Sequence, residues 1–200
     1  MPVFPDVYKK YCDRKLKIIT NYLKKDDKIL DAGCGDKSHP YVFSYLLKNY
    51  DTKGIDLDNS WNENIIKGDI SKMDFADNSF DVVLCLDVLE HIENWQKVFS
   101  ELLRVAKRKV IISVPTTENK IFFTTNQFLR KLIGINNILF AGHFRDYFPK
   151  QITELANQKG FFCQLFKVKF ATPFFSPLLL YTKLRYGGIF IIDKKENHNV

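Results

Sequence analysis

The sequence lacks the features that mark several common classes of protein. Its four cysteines are far apart and form no CxxC pair, and no group of His, Cys and acidic residues has the spacing of metal ligands. Neither a G-x-x-x-x-G-K-[ST] loop nor a G-x-S-x-G elbow occurs. We therefore predict no disulfide framework, no metal site, and neither P-loop nor serine-hydrolase chemistry. A reducing, cytoplasmic location suits this use of cysteine.

Long hydrophobic runs are missing as well. The longest apolar stretch without charge, 170–182, contains two prolines and is shorter than the ~20 residues that cross a bilayer. The lysine-rich amino terminus has no apolar core of the kind found in signal peptides. We expect no transmembrane segment. The stretch 170–186 carries Lys183 and Arg185 and could make a peripheral contact with a membrane surface.

The charge is unevenly distributed along the chain. Residues 31–100 hold thirteen Asp and Glu against six Lys and Arg, whereas residues 101–200 hold six acidic and sixteen basic residues. An acidic segment suits a ligand that carries positive charge, and the basic flanks could attract an anionic acceptor or a nucleic acid. Alternatively, the surface lysines only keep the chain soluble. The basic residues are not gathered into one arm, which does not favour nucleic acid.

Two hundred residues predict a single domain over 1–200, in which strands and helices alternate. Besides a strand at 53–56, the apolar pattern predicts five strands. They are Lys28–Ala32, Ser79–Leu86, Val110–Val114 stopped by Pro115, and an antiparallel pair, Phe161–Phe170 and Ile189–Asp193. The same reasoning predicts four helices: Val7–Leu23 within an amino-terminal segment 1–27, one from near Ser38 with Pro40 in its first turn, Asn94–Lys107, and Pro149–Lys159 closed by Gly160.

The run Ile29-Leu30-Asp31-Ala32-Gly33-Cys34-Gly35 is the most informative in the chain. An apolar strand ends in a carboxylate, and two glycines at alternate positions follow, so that a cofactor could lie against bare backbone. Asp56 ends a second strand, 53–56, 21 residues beyond Gly35, where a carboxylate can bind ribose hydroxyls. A nicotinamide-dependent reductase would also explain these glycines and Asp56. Such a reductase explains neither Asp31 nor the later Gly68-Asp69 pair. Its dinucleotide-binding motif also has a third glycine at the position that Ser38 occupies here.

Several ordered motifs together resemble the class I S-adenosylmethionine-dependent methyltransferases, in particular the type-11-like group. The resemblance runs from about Ile29 to Pro115 through ILDAGCG, GID, GDISKMDFADNSFDVV and LDVLEHIENWQKVFSELLRVAKRKVIISVP. Lys37 stands where the family often has a third glycine. The resemblance implies an α/β fold with a Rossmann-like, seven-stranded, mostly parallel sheet, helices on both faces and the last strand antiparallel. It also implies that S-adenosylmethionine is the cofactor and S-adenosylhomocysteine the product.

The resemblance assigns roles to residues at the ends of the strands. Asp31 would orient the amides of the loop and approach the ammonium of the cofactor, or only stabilise the loop by accepting backbone N–H bonds. Gly33 and Gly35 would contact the cofactor directly, and a plain tight turn is the alternative. Asp56 would bind the ribose hydroxyls. Adenine and the methionine portion would be bound by Leu57 on the adenine face, the Asp69 side chain, the Ile70 amide and the Leu86 backbone. The alternatives for these last residues are a helix N-cap at Asp69 and ordinary core packing.

The candidates for acid–base and acceptor chemistry are fewer. His91 and His143 could each remove a proton from an acceptor, since an imidazole titrates near neutral pH, although His91 could instead hydrogen-bond a loop carbonyl. Asp87 and Arg145 are candidates for binding the acceptor, and a structural pairing of Arg145 with Asp146 is the alternative. Two insertions, 116–147 and 171–188, are predicted to cover the substrate.

The expected function is methyl transfer to an oxygen, nitrogen or carbon atom of a small, lipid-linked or glycan-linked acceptor. An RNA methyltransferase and a non-catalytic protein that binds S-adenosylmethionine remain alternatives, beside the nicotinamide-dependent reductase. No Asn-Pro-Pro-Tyr tetrad is present, which lowers the case for adenine methylation in DNA.

Overall fold

A computed structural model of the chain describes residues 5–35, 40–57, 61–117, 149–168 and 185–194. The described strands are β1 (Lys28–Ala32), β2 (Asp51–Asp56), β3 (Ile65–Lys67), β4 (Phe80–Leu86), β5 (Ala106–Thr117), β6 (Phe162–Val168) and β7 (Arg185–Asp193). The described helices are α1 (Pro5–Ile19), α2 (Tyr41–Asn49), α3 (Trp95–Val105) and α4 (Pro149–Gln158). Short 3₁₀ turns follow α1 at Thr20–Tyr22 and β4 at Leu89–His91.

The strands form one seven-stranded sheet in the order β3-β2-β1-β4-β5-β7-β6. All neighbouring strands are parallel except β7, which is antiparallel to both β5 and β6. This arrangement confirms the predicted fold class. The chain moves outward from β1 to β2 and β3, and then returns to place β4 on the other side of β1. Such a reversal opens a crevice at the carboxyl ends of β1 and β4, where open α/β sheets bind their ligands.

Helices cover both faces of the sheet, as the resemblance implied. The first face packs residues of α1 and α2, such as Ile19 and Leu46, against Ile29, Leu84 and Ile111 of the strands. The second face packs α3 and α4 against the alternate side chains of the same strands. On α3 the buried residues follow the helical period: Trp95, Val98, Phe99, Leu102, Leu103 and Val105. No helix in the described parts of the chain is long and apolar enough to cross a membrane.

The boundary predicted for the fifth strand at Pro115 is wrong. β5 continues to Thr117, and Pro115 pairs with Gly187 of β7. β4 ends beside Ser113, whose carbonyl accepts a hydrogen bond from the Asp87 amide on that side. Polar groups two residues apart on a strand point the same way, so the missing N–H of Pro115 faces the side where β4 has already ended.

Other predicted boundaries also move. α3 ends at Val105 and β5 begins at Ala106, whereas the sequence predicted a helix to Lys107 and a strand from Val110. Residues 116–117 belong to β5 and 185–188 belong to β7, so both predicted insertions overlap the sheet; their remaining residues lie outside the described part of the chain.

The sequence predicted that α2 starts near Ser38, with Pro40 in its first turn. The helix instead begins at Tyr41, and Pro40 is its N-cap residue, one position before the first turn. A proline suits either position because the first helical turns leave N–H groups without helical partners.

Candidate functional site at the carboxyl ends of the strands

The loop after β1 contains two glycines in left-handed conformations, each for its own reason. Gly33 has φ +79°, and a Cβ there would lie 2.6 Å from Cγ2 of Val88, the second residue after β4. Its amide donates to the Ile55 carbonyl at 2.8 Å. Gly35 has φ +77°, and a Cβ there would meet no atom of the described residues within 4 Å. Within the described part of the chain, the loop is thus packed at Gly33 and open at Gly35, a shape that could hold a ligand.

Asp56 joins this loop to the ends of β2 and β3. Its Oδ2 accepts a hydrogen bond from the Gly35 amide at 2.9 Å, and its carbonyl accepts one from the Gly68 amide at 2.9 Å. The Trp61 indole donates to the Gly35 carbonyl at 3.1 Å, so the second glycine is held by hydrogen bonds at both its N–H and its C=O. An ionised carboxylate has about four acceptor sites, and an amide occupies one of them. Asp56 therefore has the chemistry for hydroxyl groups brought to this loop.

Asp31 is buried beneath the loop, with 3% of its surface exposed. Burial raises its pKa to about 7, with Lys15 opposing the rise and Asp56 adding to it. Among the described loop residues, the amides of Gly33 and Cys34 donate to the Ile55 carbonyl and that of Gly35 donates to Asp56. The role of Asp31 toward the loop and toward a cofactor stays a prediction. The raised pKa places the ionisation of the Asp31 carboxyl near neutral pH.

Asp87 follows β4 in a left-handed conformation, φ +58°, which is uncommon for a residue other than glycine. Its amide donates to the Ser113 carbonyl at 2.8 Å, and its Oδ1 accepts from the Ser113 hydroxyl at 2.7 Å. Its Oδ2 accepts from Nζ of Lys15 at 2.5 Å. The predicted candidate for acceptor binding is thus a junction between β4, β5 and α1.

Two residues of α1 complete the site, and sequence reasoning overlooked them. Lys15 is 3% exposed, and its ammonium lies 4.5 Å from the ring centroid of Tyr11. The Tyr11 hydroxyl reaches β7, where a Cβ on Gly187 would lie 2.6 Å from it. Burial, followed by the charges of Asp87 and Glu90, raises the pKa of the Tyr11 phenol well above its usual value. A signal existed, because Lys15 lies on the buried stripe of α1 together with Cys12, Leu16 and Ile19.

The predicted adenine-binding residues have different surroundings. Asp69 turns back on Ser71, accepting from its amide at 2.7 Å and from its hydroxyl at 2.9 Å, and these bonds lower the Asp69 pKa. The Ile70 side chain is buried in the core, which leaves its backbone as the group that a ligand could meet. Leu57 is 65% exposed at the end of β2, while Leu86 packs partly buried beneath α1 and α2. Their roles toward a nucleoside stay predictions.

The histidine candidates are only partly described. His91 is exposed at the end of the 3₁₀ turn after β4, and its amide donates to the Val88 carbonyl at 2.9 Å. His143, Arg145 and Lys37 lie outside the described residues, so their predicted roles are unchanged. Within the part of the chain that is described, no three His, Cys, Asp or Glu residues are grouped so that they could hold a metal ion.

Comparison with known proteins agrees with this geometry. Residues 30–114 match a family model described as a methyltransferase domain. An uncharacterised protein of Methanocaldococcus jannaschii is 40% identical over 94 residues, which are 43% of this chain and 39% of that protein. A ubiquinone biosynthesis O-methyltransferase of Rickettsia bellii is 29% identical over 140 residues, 64% of this chain and 56% of that enzyme. The chain thus spans about half the length of these curated relatives or less.

The fold is shared with solved structures. A crystal structure described as a SAM dependent methyltransferase from Archaeoglobus fulgidus superposes with a TM-score of 0.63 at 15% identity, covering 90% of this chain and 92% of that one. The matched segment 30–114 contains β1 with its glycine loop, Asp56, and β4 with Asp87. The match of this segment and the shared fold together support a class I methyltransferase family.

Proposed function

We propose that the chain binds S-adenosylmethionine at the carboxyl ends of β1, β2 and β4 and is a methyltransferase. The observation that carries the proposal is the junction of Asp56 with Gly35. A carboxylate at the end of β2 is held 2.9 Å from a loop amide, beside a glycine that has open space where a side chain would be. A nucleoside needs this combination of a hydroxyl acceptor and bare backbone.

The residues that would hold the cofactor follow from this junction. Asp56 would accept the ribose hydroxyls, and exposed Leu57 would offer an apolar surface to the base. The Gly33–Gly35 backbone would lie against the methionine portion. Asp31 and Asp87 would favour a ligand that carries positive charge, because both carboxylates lie at this end of the sheet. When bound, S-adenosylmethionine supplies a methyl group on a positively charged sulfur that is open to attack by a nucleophile.

The main catalytic task of the chain in this proposal is alignment. Holding two reactants in line contributes up to ~7–11 kcal/mol to lowering a barrier, whereas a general base contributes about 10²- to 10⁴-fold. His91 is exposed beside the crevice and could accept the proton of an acceptor hydroxyl or amine. The residues that bind the cofactor should therefore matter more than any single histidine.

The acceptor class is the finer part of the proposal. We favour a small or lipid-linked anionic acceptor, because residues 101–200 carry a large excess of basic residues and many aromatic ones. The Rickettsia relative is named for ubiquinone biosynthesis and O-methylation, which accords with an apolar acceptor that has a hydroxyl group. The chain would be incubated with radiolabelled S-adenosylmethionine and a cell extract, and the extract would then be separated into lipid and aqueous fractions. The fraction that carries the label would identify the class of acceptor. Label found only in RNA would overturn it.

The experiment for cofactor binding compares two aspartates at opposite ends of β2. Asp56→Ala should weaken the binding of S-adenosylhomocysteine about 100-fold, since the loss of a charge-assisted hydrogen-bond partner costs up to ~3 kcal/mol. Asp51→Ala removes an exposed carboxylate from the first residue of the same strand and should leave the affinity unchanged. Titration calorimetry with the wild type and both variants provides the measurement. Equal affinities for all three proteins, or heat only with NAD(H), would overturn the proposal.

A further inference from the structure

The junction between α1 and the end of β4 suggests a role for a residue outside the matched family segment. Lys15 lies on α1, before the segment 30–114, and its side chain is 3% exposed. Its ammonium contacts the Asp87 carboxylate at 2.5 Å across 72 residues of sequence. A buried lysine is rare unless it is paired, and removing one partner of such a pair leaves an uncompensated charge.

Asp87 is held in an unfavourable backbone conformation by contacts with Ser113 and with α1. Its φ of +58° strains a residue that has a Cβ. Ser113 supplies two contacts, through its carbonyl and its hydroxyl, and Lys15 supplies another. Such strain persists only where the surroundings fix the residue, and it is common at functional sites. Lys15 reaches Asp87 from α1, outside the sheet, and it brings a charge opposite to that of the carboxylate.

The conformation of Asp87 fixes the path of the glycine loop. The next residue, Val88, lies so close to Gly33 that a Cβ on the glycine would be 2.6 Å from Cγ2 and 2.8 Å from Cγ1 of the valine. A change in the Asp87 backbone would move Val88 and with it the surface on which Gly33 rests. Gly33 is two residues from Gly35, whose amide donates to Asp56. A continuous chain of contacts therefore joins Lys15 to the proposed nucleoside site.

We propose that Lys15 is a positioning residue, which holds the Asp87 carboxylate at the end of β4 and thereby sets the glycine loop for the cofactor. The proposal rests on the proposed function. It places the effect of Lys15 in Asp87, not in a contact between Lys15 and the ligand. The amino-terminal helix is accordingly a working part of the site and not only a cover for the sheet.

A double-mutant cycle on the affinity for S-adenosylhomocysteine tests the proposal. Lys15→Met and Asp87→Asn should each weaken binding about tenfold or more, whereas the double variant should bind no more weakly than Asp87→Asn alone. Removing Lys15 when Asp87 is already uncharged takes away nothing further. If Lys15 touched the ligand itself, its removal would cost the same factor in both backgrounds, and such additivity would overturn the proposal.

Two further variants separate positioning from folding. Lys15→Arg keeps the cation and should bind within about threefold of the wild type. Ser113→Ala removes another donor to Asp87 and should weaken binding about three- to tenfold without touching α1. If Lys15→Met does not fold, the cycle between Ser113→Ala and Asp87→Asn decides, because it tests the same carboxylate; additive losses there would again count against the proposal.

The pair Lys15→Met and Asp31→Asn is the matched control. Lys15 also lowers the pKa of Asp31 through its charge, so some coupling is expected there. The coupling with Asp87 should exceed it, because Lys15 contacts Asp87 directly. The reverse order would show that Lys15 acts through Asp31 and would overturn the assignment. A wild-type chain that binds no S-adenosylhomocysteine would instead contradict the proposed function, and this inference with it.

Discussion

The two ends of the sheet manage their charges in opposite ways. At the amino end, Arg108 donates to Asp27 at 2.6 Å, and the Lys194 ammonium donates to the Asn78 side chain and to the carbonyls of Leu103 and Ala106. Each cation there has its own acceptors. At the carboxyl end, several carboxylates lie close enough to act on the same groups through their charges: Asp31, Asp56, Asp87 and Glu90. The buried cation among the described residues at that end is Lys15.

Under the proposed function, the difference separates charges that stabilise the fold from charges that would face a ligand. A buried carboxylate without a cation costs free energy, which the folded chain must offset by packing elsewhere. Local conflicts of this kind are expected at functional sites. The amino end, with its charges matched, should respond to substitution through stability alone. The carboxyl end should respond through ligand affinity and pH.

The largest expected effect is a difference in the pH dependence of stability at the carboxyl end. The pKa of Asp31 is about 7 in the folded chain against an ordinary value of 3.8. The folded state therefore holds the proton more tightly, and its contribution to stability, complete below pH 4, is lost as the pH rises to 7. Asp31→Asn should remove this loss, which is on the order of 2–4 kcal/mol. Urea unfolding between pH 4 and 8 measures it, and parallel curves for wild type and variant would contradict the expectation.

At the amino end we expect a loss of stability without a change in binding. Asp27 is 4% exposed and accepts hydrogen bonds from Arg108 and from the Lys24 amide. Asp27→Asn should lower the free energy of unfolding by about 3 kcal/mol, because it leaves the Arg108 guanidinium without its charged partner. Its neighbour Asp26 is exposed, and Asp26→Asn should change little. Affinity for S-adenosylhomocysteine should be the same in both folded variants. A loss of affinity in either would contradict the expectation that charges at the amino end affect stability alone.

Two glycines with similar backbone angles sharpen the comparison. Gly35 has φ +77° and Gly160, after α4, has φ +83°, and a Cβ at either would meet no atom within 4 Å in the part of the chain that the structure describes. Alanine at each position should cost about 1–2 kcal/mol of stability from backbone strain alone. Only Gly35→Ala should also weaken binding of S-adenosylhomocysteine, by about tenfold or more, since its methyl group would enter the proposed site. Unfolding and calorimetry on both variants provide the test, which fails if binding weakens equally in both.

Six of the seven strands and the four helices could be predicted from local pattern, because apolar runs and helical spacing located them within a few residues. β3 was not predicted in this way, and the complete sheet was implied by the resemblance. The glycines and carboxylates after β1 and β2 predict where a ligand would lie. The end of β5 was missed because the tolerance for Pro115 depends on where β4 stops. Such a fact belongs to the neighbouring strand and cannot be read from the residues of β5 alone.

The charged centre of the site was harder to predict for a similar reason. Lys15, Asp87 and Ser113 belong to three elements, and only the fold brings them together. Gly187 gave no signal on its own, because its lack of a side chain matters only when Tyr11 lies against it. Sequence patterns report which face of an element is buried, whereas they do not report which buried polar groups meet. A lysine in an apolar stripe is the hint that remains, and it indicates a partner without naming it.

The smallest expected effect concerns His91, the exposed imidazole at the same end as the carboxylates. His91→Gln keeps the size and a hydrogen-bonding group, and the side chain lies at the surface, so the affinity for S-adenosylhomocysteine should change by less than about twofold, or ~0.4 kcal/mol. If His91 is the general base, kcat alone should fall by about 10²-fold or more once an acceptor is known. A split of this kind would separate an imidazole that moves a proton from the carboxylates that we propose bind the cofactor. A loss of affinity as large as that of Asp56→Ala would instead place His91 among the groups that hold the ligand.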